Sequence, residues 1–195
     1  MKILAFTDIH GKLSYIETIK KKLADVDLLI CSGDLTIFEE KLDHLLVKLN
    51  SFNKIIFIVN GNHEGEKRLK EFTTKFKNIF FLHKEIINYE DIFFVGYGGG
   101  GFSQRDDDFE EFVKKNENKI KDKNIVLVTH APPYNTKLDI VVREHVGNKS
   151  YYDFIKKYKP LAHFCGHLHE NFSRLEKIGE TIIVNPGPEG MIIEV

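Results

Sequence analysis

The first ten residues, Met1-Lys2-Ile3-Leu4-Ala5-Phe6-Thr7-Asp8-Ile9-His10, join a short apolar run to two side chains that can bind a metal ion. The apolar run has the length and composition of a buried β-strand. Asp8 and His10 are two residues apart, so in an extended backbone their side chains leave on the same side and can reach one ion. The stretch therefore predicts a strand with metal ligands at its carboxyl end.

The same order recurs at four later places, where metal-binding side chains again follow an apolar, strand-like run. These places are Gly33-Asp34, Gly61-Asn62-His63-Glu64, Thr129-His130 and Gly166-His167-Leu168-His169. Ligands of open α/β sheets bind at the carboxyl ends of the strands, so five such places predict one shared site. The remaining histidines lack this placement, and we assign them surface or core roles. They are His44, His83, His145 and His163.

Apolar periodicity predicts strands that alternate with helices in the first part of the chain. The predicted strands are residues 2–7, 27–31 and 54–59, and the predicted helices are about 14–23, 39–49 and 66–76. This alternation is typical of a parallel sheet covered by helices. Short β-like runs at residues 79–82, 85–88 and 92–96 have no helices between them, and they indicate a hairpin-like cluster that begins a second sheet.

The rest of the chain continues the α/β pattern. We predict a helix from about residue 103 to 120, strands at 125–129 and 161–165, and a helix at 151–158. The tail favours antiparallel strands at residues 171–176, 181–184 and 191–195, because Gly179 and Asn185-Pro186-Gly187-Pro188 interrupt it. The sequence contains no repeat or linker, so residues 1–195 are predicted to form one α/β domain with two sheets.

Composition narrows the class of protein. The chain has 195 residues, of which 42% are hydrophobic, enough for one substantial core. A net charge of -1 gives no electrostatic sign of nucleic-acid or anionic-membrane binding. The N-terminal apolar run meets Asp8 too early for a signal peptide, and no run reaches transmembrane length, so we expect a cytoplasmic protein. Cys31 and Cys165 lie in apolar runs and are predicted to be buried free thiols.

The predicted ligands combine carboxylate, amide and imidazole groups. Such a mixture suits manganese, iron, cobalt, nickel or zinc and disfavours calcium. Two carboxylates facing two dications leave a net positive site, which suits a phosphate group. Two metals about 3.5 to 4 Å apart can activate a bridging water and hold the attacking and leaving oxygens of an in-line displacement. The residues therefore predict a two-metal phosphoester hydrolase.

The motif order D-x-H, G-D, G-N-H-D/E, H and G-H-x-H, which spans Asp8 to His169, resembles the calcineurin-like metallophosphoesterase superfamily. The resemblance implies a four-layer α/β/β/α sandwich of two mixed sheets flanked by helices. It also implies two divalent metal ions, with manganese as our first expectation. One ion would be held by Asp8, His10, Asp34 and His169, and the other by Asp34, Asn62, His130 and His167.

The resemblance also implies catalytic roles for Asp34 and His63. Asp34 would bridge the ions with one carboxylate oxygen for each, so that a hydroxide activated by both metals attacks phosphorus. His63 would contact the phosphate and protonate the leaving oxygen as the general acid. We leave open whether Glu64 orients His63 or pairs with a lysine of the following helix.

Departures from the superfamily narrow the predicted substrate. Phosphoprotein phosphatases carry G-D-x-x-D-R-G, whereas this chain has Gly33-Asp34-Leu35-Thr36-Ile37-Phe38 and lacks both charged groups. Superfamily nucleases are usually longer, with an added DNA-facing domain. The stretches His130-Ala131-Pro132-Pro133-Tyr134-Asn135-Thr136 and Asn185-Pro186-Gly187 resemble the compact bacterial and archaeal phosphodiesterases. We therefore expect hydrolysis of a small diester such as a cyclic nucleotide.

Several alternatives remain at this point. The same metals could serve a phosphomonoesterase or a nucleotide pyrophosphatase, and the same fold could be a non-catalytic scaffold that binds other proteins. The glycines at 98–101 could form a mobile lid or only a permissive turn. Tyr134 and Asn135 could contact the leaving group or only pack. The sequence does not determine the substrate or the oligomeric state.

Overall fold

Two large β-sheets form the centre of the protein in the computed structural model, which describes all 195 residues. The first sheet contains, in spatial order, β13 (Met191–Glu194), β1 (Lys2–Phe6), β2 (Leu28–Cys31), β3 (Ile55–Ile58) and β4 (Ile79–Phe81). Strands β1 to β4 are parallel, and β13 is antiparallel to β1. The four parallel strands therefore end at the same edge of this sheet.

The second sheet is also mixed. It contains, in spatial order, β11 (Arg174–Ile178), β12 (Thr181–Asn185), β10 (Ala162–Phe164), β7 (Ile125–Thr129), β6 (Ile92–Tyr97) and β5 (Glu85–Tyr89). The four inner strands are parallel, and each outer strand is antiparallel to its neighbour. A separate small hairpin pairs β8 (Ile140–Val141) with β9 (Glu144–His145).

Six helices connect these strands. They are α1 (Leu13–Lys20), α2 (Leu42–Asn50), α3 (Glu66–Thr73), α4 (Asp107–Lys115), α5 (Glu117–Ile120) and α6 (Lys149–Tyr158). Helices α1 to α3 pack on the first sheet, while α4 to α6 pack on the second. None of them is both long and apolar enough to cross a membrane.

The alternation of side chains along each strand produces the layers. In β1, Ile3 and Ala5 face the core between the sheets, whereas Leu4 and Phe6 face the helices. In β7, Val126 packs between the sheets and Leu127 packs against the outer helices. Successive side chains of a strand point to opposite faces, so a sheet covered on both sides must be apolar throughout. The predicted four-layer α/β/β/α sandwich is confirmed.

Several element boundaries differ from those predicted. Helix α2 begins at Leu42, because Phe38, Glu39 and Lys41 have φ angles of 46°, 65° and 55°, outside the helical region. The predicted helix over residues 103–120 is two helices that meet at Asn116. The N-terminus of α4 is fixed by the Asp106 carboxylate, which accepts a hydrogen bond from the Phe109 N–H at 2.9 Å.

The strand cluster and the tail also divide differently between the sheets. Strand β4 extends the first sheet in parallel, and only β5 and β6 form the expected hairpin. In the tail, β11 and β12 are antiparallel as predicted, but β13 returns to the first sheet beside β1. Local periodicity gives no information on such long-range pairing. Cys31 and Cys165 are buried free thiols, as predicted.

One buried histidine outside the predicted site has a defined protonation state. His163 is fully buried, and its Nε2 lies 2.7 Å from the Thr129 hydroxyl. That hydroxyl donates to the Ala131 carbonyl, so it accepts from an Nε2–H of His163, while Nδ1 has no partner. Burial lowers the pKa of His163 to about 3, and the ring is therefore neutral in the folded protein near neutral pH.

We predict that His163 makes the protein less stable in mild acid. Its pKa is about 3 in the folded state and 6.5 in the unfolded state, so the unfolded chain binds more protons below pH 6.5. Between pH 7 and pH 5 this group should lower the free energy of unfolding by about 2 kcal/mol. Urea unfolding with a chelator present should show that His163→Gln loses correspondingly less stability. Equal losses in both proteins would contradict the prediction.

Candidate metal centre

The predicted ligands lie together at the carboxyl ends of strands from both sheets. Asp8 and His10 follow β1, Asp34 follows β2, and Asn62 follows β3, all in the first sheet. The second sheet contributes residues after β7 and β10, namely His130, His167 and His169. The two sheets thus supply different parts of one cluster.

Four of these residues have a left-handed backbone conformation. The φ angles are 54° for Asp8, 48° for His10, 51° for Asp34 and 70° for His167. Residues other than glycine seldom adopt this conformation, which costs about 1 to 3 kcal/mol each and concentrates at functional sites. The chain turns sharply at each strand end, and this turn directs the side chain into the cluster.

Asp34 lies at the centre of the cluster. Its Oδ2 is 3.9 Å from His10 Nε2, 3.9 Å from His63 Nε2 and 3.4 Å from His130 Nε2. Its other oxygen, Oδ1, accepts a hydrogen bond from the His63 backbone N–H at 3.0 Å. The carboxylate oxygen nearest to these three imidazoles is therefore Oδ2, while Oδ1 is held by the loop after β3. That Asp34 would hold both ions stays a prediction.

Asp8, His10 and His169 form the first group of possible ligands around this centre. Asp8 Oδ1 is 3.8 Å from His10 Nε2 and 3.4 Å from His169 Nε2, and the two nitrogens are 3.1 Å apart. The other carboxylate oxygen of Asp8 accepts from the Thr7 hydroxyl and from the His167 backbone N–H. Asp8 Oδ1 is buried and has no hydrogen-bond partner, as expected for an oxygen that binds a cation.

Asn62, His130 and His167 complete the cluster, and His130 forms a further group of possible ligands with Asp8 and Asp34. His130 Nδ1 donates to the Ser32 carbonyl at 2.8 Å, which leaves Nε2 facing Asp34 and the Asn62 side-chain oxygen at 3.0 Å. Hydrogen bonds of this kind orient metal-binding imidazoles. The ring centroids of His167 and His130 are 5.1 Å apart. The buried Nε2 of His167 has no hydrogen-bond partner. His167 therefore borders His130 but does not join the groups that share Asp8 or Asp34.

His63 lies as close to Asp34 as His10 does, and the three residues form another group of possible ligands. The His63 side chain is about one-fifth exposed. Its ring centroid is 5.1 Å from that of His10 and 4.7 Å from that of Phe38. Its buried Nδ1 has no partner. His63 thus has one face toward the cluster and an opening toward solvent, as a proton donor to a substrate requires.

Glu64 has a different role from either alternative considered for it. The residue is only 5% exposed, and its carboxylate contacts neither His63 nor a lysine. It accepts hydrogen bonds from the backbone N–H groups of Asp34, Gly61 and Thr36 and from the Thr36 hydroxyl, at 2.7 to 3.1 Å. Glu64 therefore ties the loop after β2 to the loop after β3. These loops carry Asp34 and Asn62.

Close backbone approach at two glycines makes this arrangement possible. A methyl group on Gly61 would overlap the Asp34 carboxylate, and one on Gly166 would overlap the side chains of Thr7 and Asp8. No flexible side chain could move away, because the obstructing atoms belong to the predicted ligands and their neighbours. Glycine at these two positions therefore lets both aspartates pack against adjacent loops.

The charges of the cluster oppose one another. Burial alone would raise the pKa of Asp34, but its hydrogen bond and charge interaction with His130 bring it to about 2. Burial alone would lower the pKa of His130, but Asp34 and Asp8 raise it to about 9. Burial lowers the pKa of His167 to about 4. Asp34 is thus ionised at neutral pH, and a metal at His130 Nε2 would replace a proton.

The remaining candidates from the sequence are Tyr134, Asn135 and the glycines at 98–101. Tyr134 packs near His145, and the Asn135 N–H donates to Asp139, which is buried and organises the loop between β7 and α6. The glycines at 98–101 form a turn in which the Gly99 N–H donates to the Asn60 carbonyl. His44, His83, His145 and His163 lie outside the three groups of possible ligands.

Comparison with known proteins agrees with the class that this site indicates, a hydrolase of phosphoesters. The model of the calcineurin-like phosphoesterase family matches residues 1–171. The chain therefore belongs to the calcineurin-like phosphoesterase family. The last three strands lie beyond this match, but β12 pairs with β10, β11 with β12 and β13 with β1, so they complete the same two sheets.

Individual relatives agree with the family assignment. The chain is 37% identical to the uncharacterized protein MJ1162 of Methanocaldococcus jannaschii, over 99% of this chain and 91% of that protein. It is 28% identical to a probable glycerophosphodiester phosphodiesterase, GpdQ, of Arcobacter nitrofigilis, over 83% of this chain and 64% of the relative. The crystal structure of TT1561 of Thermus thermophilus has the same fold, with a TM-score of 0.79 and 17% identity over 95% of this chain and 88% of that one.

We predict that Glu64→Gln weakens metal binding although Glu64 is not a ligand. The amide has one acceptor oxygen, so its NH2 group must face backbone N–H donors either at Asp34 and Gly61 or at Thr36, and the two loops should separate. Affinity for manganese, measured by calorimetry, should fall about 10- to 100-fold. Glu66→Gln changes an exposed residue on the same segment and should bind as the wild type does. Unchanged affinity in folded Glu64→Gln would contradict this role.

Proposed function

We propose that this protein is a metal-dependent phosphodiesterase that acts on a small diester. The observation that carries the proposal is the position of Asp34 Oδ2, which is within 3.9 Å of three imidazole nitrogens. Family membership supports hydrolysis of a phosphoester in general. The diester, the two-metal centre and the roles of individual residues are inferences from the geometry.

The residues suit two divalent cations that share Asp34. Asp8, His10 and His169 would complete one site with Asp34, and Asn62, His130 and His167 would complete the other. Two unpartnered atoms, Asp8 Oδ1 and His167 Nε2, support this assignment. Each is buried, has no hydrogen bond and can act as a metal ligand. When bound, two such ions lower the pKa of a water molecule and neutralise charge on the phosphate. Manganese is our first choice, and the mixed oxygen and nitrogen ligands also suit iron, cobalt, nickel or zinc.

His63 is proposed as the general acid. Its Nε2 faces Asp34, and its contact with Phe38 restricts the orientation of the ring. A proton donor must reach the leaving oxygen while that oxygen is near the metals, and His63 borders the cluster from the solvent side. A protonated imidazole can donate its ring N–H to a leaving oxygen, which is the role required here.

A diester is preferred because the loop after Asp34 offers no cation to a doubly charged phosphate. Its residues are Leu35, Thr36, Ile37 and Phe38, and the Thr36 N–H and hydroxyl are already bonded to Glu64. A phosphodiester carries one negative charge and needs less compensation. The GpdQ relative of Arcobacter nitrofigilis is likewise a probable glycerophosphodiester phosphodiesterase. We propose a small substrate, since the net charge of -1 gives no sign of nucleic-acid binding.

We predict that the manganese-loaded protein hydrolyses bis(p-nitrophenyl) phosphate and that Asp34→Asn lowers kcat/KM about 100-fold or more. The amide is neutral, so the side chain that both proposed sites share becomes a weaker ligand. Asp43→Asn, an exposed change on α2, is the matched control and should retain full activity. An active Asp34→Asn variant would refute the assignment. A faster rate on p-nitrophenyl phosphate would favour a phosphomonoesterase, and a protein that binds no metal would favour a scaffold.

We predict that the effect of His63→Gln depends on the leaving group. p-Nitrophenolate leaves readily without a proton, whereas an alkoxide needs one, so an acid matters only for the second. kcat should fall about 100-fold on an alkyl diester that the wild type accepts, such as a cyclic nucleotide or a glycerophosphodiester, and much less on bis(p-nitrophenyl) phosphate. Equal losses on both substrates would instead indicate that His63 holds a metal or positions its neighbours.

A further inference from the structure

Two exposed phenylalanines contact histidines of the candidate metal centre. Phe38 is 76% exposed, and its ring centroid is 4.7 Å from that of His63. Phe102 is 64% exposed, and its ring centroid is 4.6 Å from that of His167. Each ring therefore borders the cluster at a different histidine and keeps much of its surface in contact with water.

The backbone holds Phe38 in this position at a cost. Its φ angle is 46°, which is unfavourable for a bulky side chain. The next residue, Glu39, fixes the loop, because its carboxylate accepts from the Gly65 N–H at 2.8 Å and from Arg68 at 3.0 Å. The loop is thus tied to the start of α3, and the exposed ring is presented beside His63 on a fixed support.

Phe102 is presented in a comparable way by the glycine turn. The Ser103 N–H donates to the Gly100 carbonyl at 2.9 Å, and the Asn148 side chain donates to the Ser103 carbonyl at 2.9 Å. These bonds fix the chain directly after Phe102. The turn before it uses left-handed φ angles of 75°, 89° and 47° at Gly99, Gly100 and Gly101, which bring Phe102 back over His167.

Burial does not account for either ring. Phe172 differs from them in its burial. Its ring centroid is 4.8 Å from that of His169, but the residue is partly buried and packs against Gly187. Exposed rings of the size of Phe38 and Phe102 lose the free energy that burial would supply. Two such rings on the border of one polar cluster, held by fixed loops, indicate surfaces that a ligand covers.

We propose that Phe38 and Phe102 each provide a stacking surface beside the phosphate, and that at least one of these surfaces is the binding subsite for a flat aromatic group of the substrate, such as a nucleobase. The inference rests on the proposed function, because the metals would hold the phosphate while these rings contact its substituents. A phenylalanine offers no hydrogen bond, so the subsite recognises a planar surface and does not distinguish one base from another. Phe38 adjoins the proposed acid and would contact the leaving side, whereas Phe102 would contact the opposite side.

The test is a comparison of two phosphate ligands that differ in the aromatic group. Adenosine 5′-monophosphate and glycerol 3-phosphate are titrated calorimetrically into the manganese-loaded protein, a readout that needs no turnover. The wild type should bind the nucleotide about tenfold more tightly. Phe38→Leu and Phe102→Leu retain an apolar side chain without the flat ring. At least one of them should lower nucleotide affinity about fivefold and change glycerol phosphate affinity less than about twofold.

Two controls separate stacking from a structural role. The Tyr variants, Phe38→Tyr and Phe102→Tyr, keep the ring and should retain nucleotide affinity. Phe80→Leu changes a partly exposed phenylalanine on β4 and should have no effect on either ligand. If Phe38 only positioned His63, its Leu variant would lower kcat on alkyl diesters much more than on bis(p-nitrophenyl) phosphate and leave the difference in affinity between the two ligands unchanged.

The outcomes also separate this inference from the proposed function. Diester hydrolysis together with equal affinity for the two ligands would overturn the subsite and leave the function intact. A nucleotide preference that the Leu variants abolish, in a protein that hydrolyses no diester, would support the subsite and refute the function. Equal losses for both ligands in the Leu variants, or no binding of either ligand, would also overturn the subsite.

Discussion

The convergence of His10, His63 and His130 on one carboxylate oxygen of Asp34 is the arrangement on which the rest of the site depends. It requires side chains from three other strand ends to come within 3.9 Å of that oxygen. Parallel strands satisfy this requirement because their carboxyl ends lie at one edge, and the left-handed turns after β1 and β2 then direct the side chains inward. The buried Glu64 keeps the loops after β2 and β3 at the spacing that Asp34 needs.

The sequence predicted the layers of the fold and the gathering of these side chains, but not several of the contacts that support the cluster. The metal-binding side chains directly follow apolar runs, so a local pattern was enough to place them at strand ends. The role of Glu64 could not be predicted, because its partners Asp34 and Thr36 lie 30 and 28 residues away and offer backbone groups common to every residue. The return of β13 to β1 also depends on pairing between distant segments.

Phe38 and Phe102 show another limit of sequence patterns. Among 16 phenylalanines, most of which are expected in a core, nothing local distinguishes two that remain exposed. The chain around Phe38 was interpreted as the start of a helix, and its left-handed turn became visible only in the structure. The glycines before Phe102 did indicate unusual backbone, but not which side chain they would present.

The division of the ligands between the two sheets has a consequence for the rate at which the protein is degraded. Asp34 belongs to one sheet and His130 to the other, and the core between the sheets lies beside the cluster. Ions held by both sets would join the sheets, so their binding free energy would add to the work needed to separate them. The metal concentration would then set how often the two sheets separate and expose the chain to proteases. In a cell with little metal, the metal-free protein would be degraded faster.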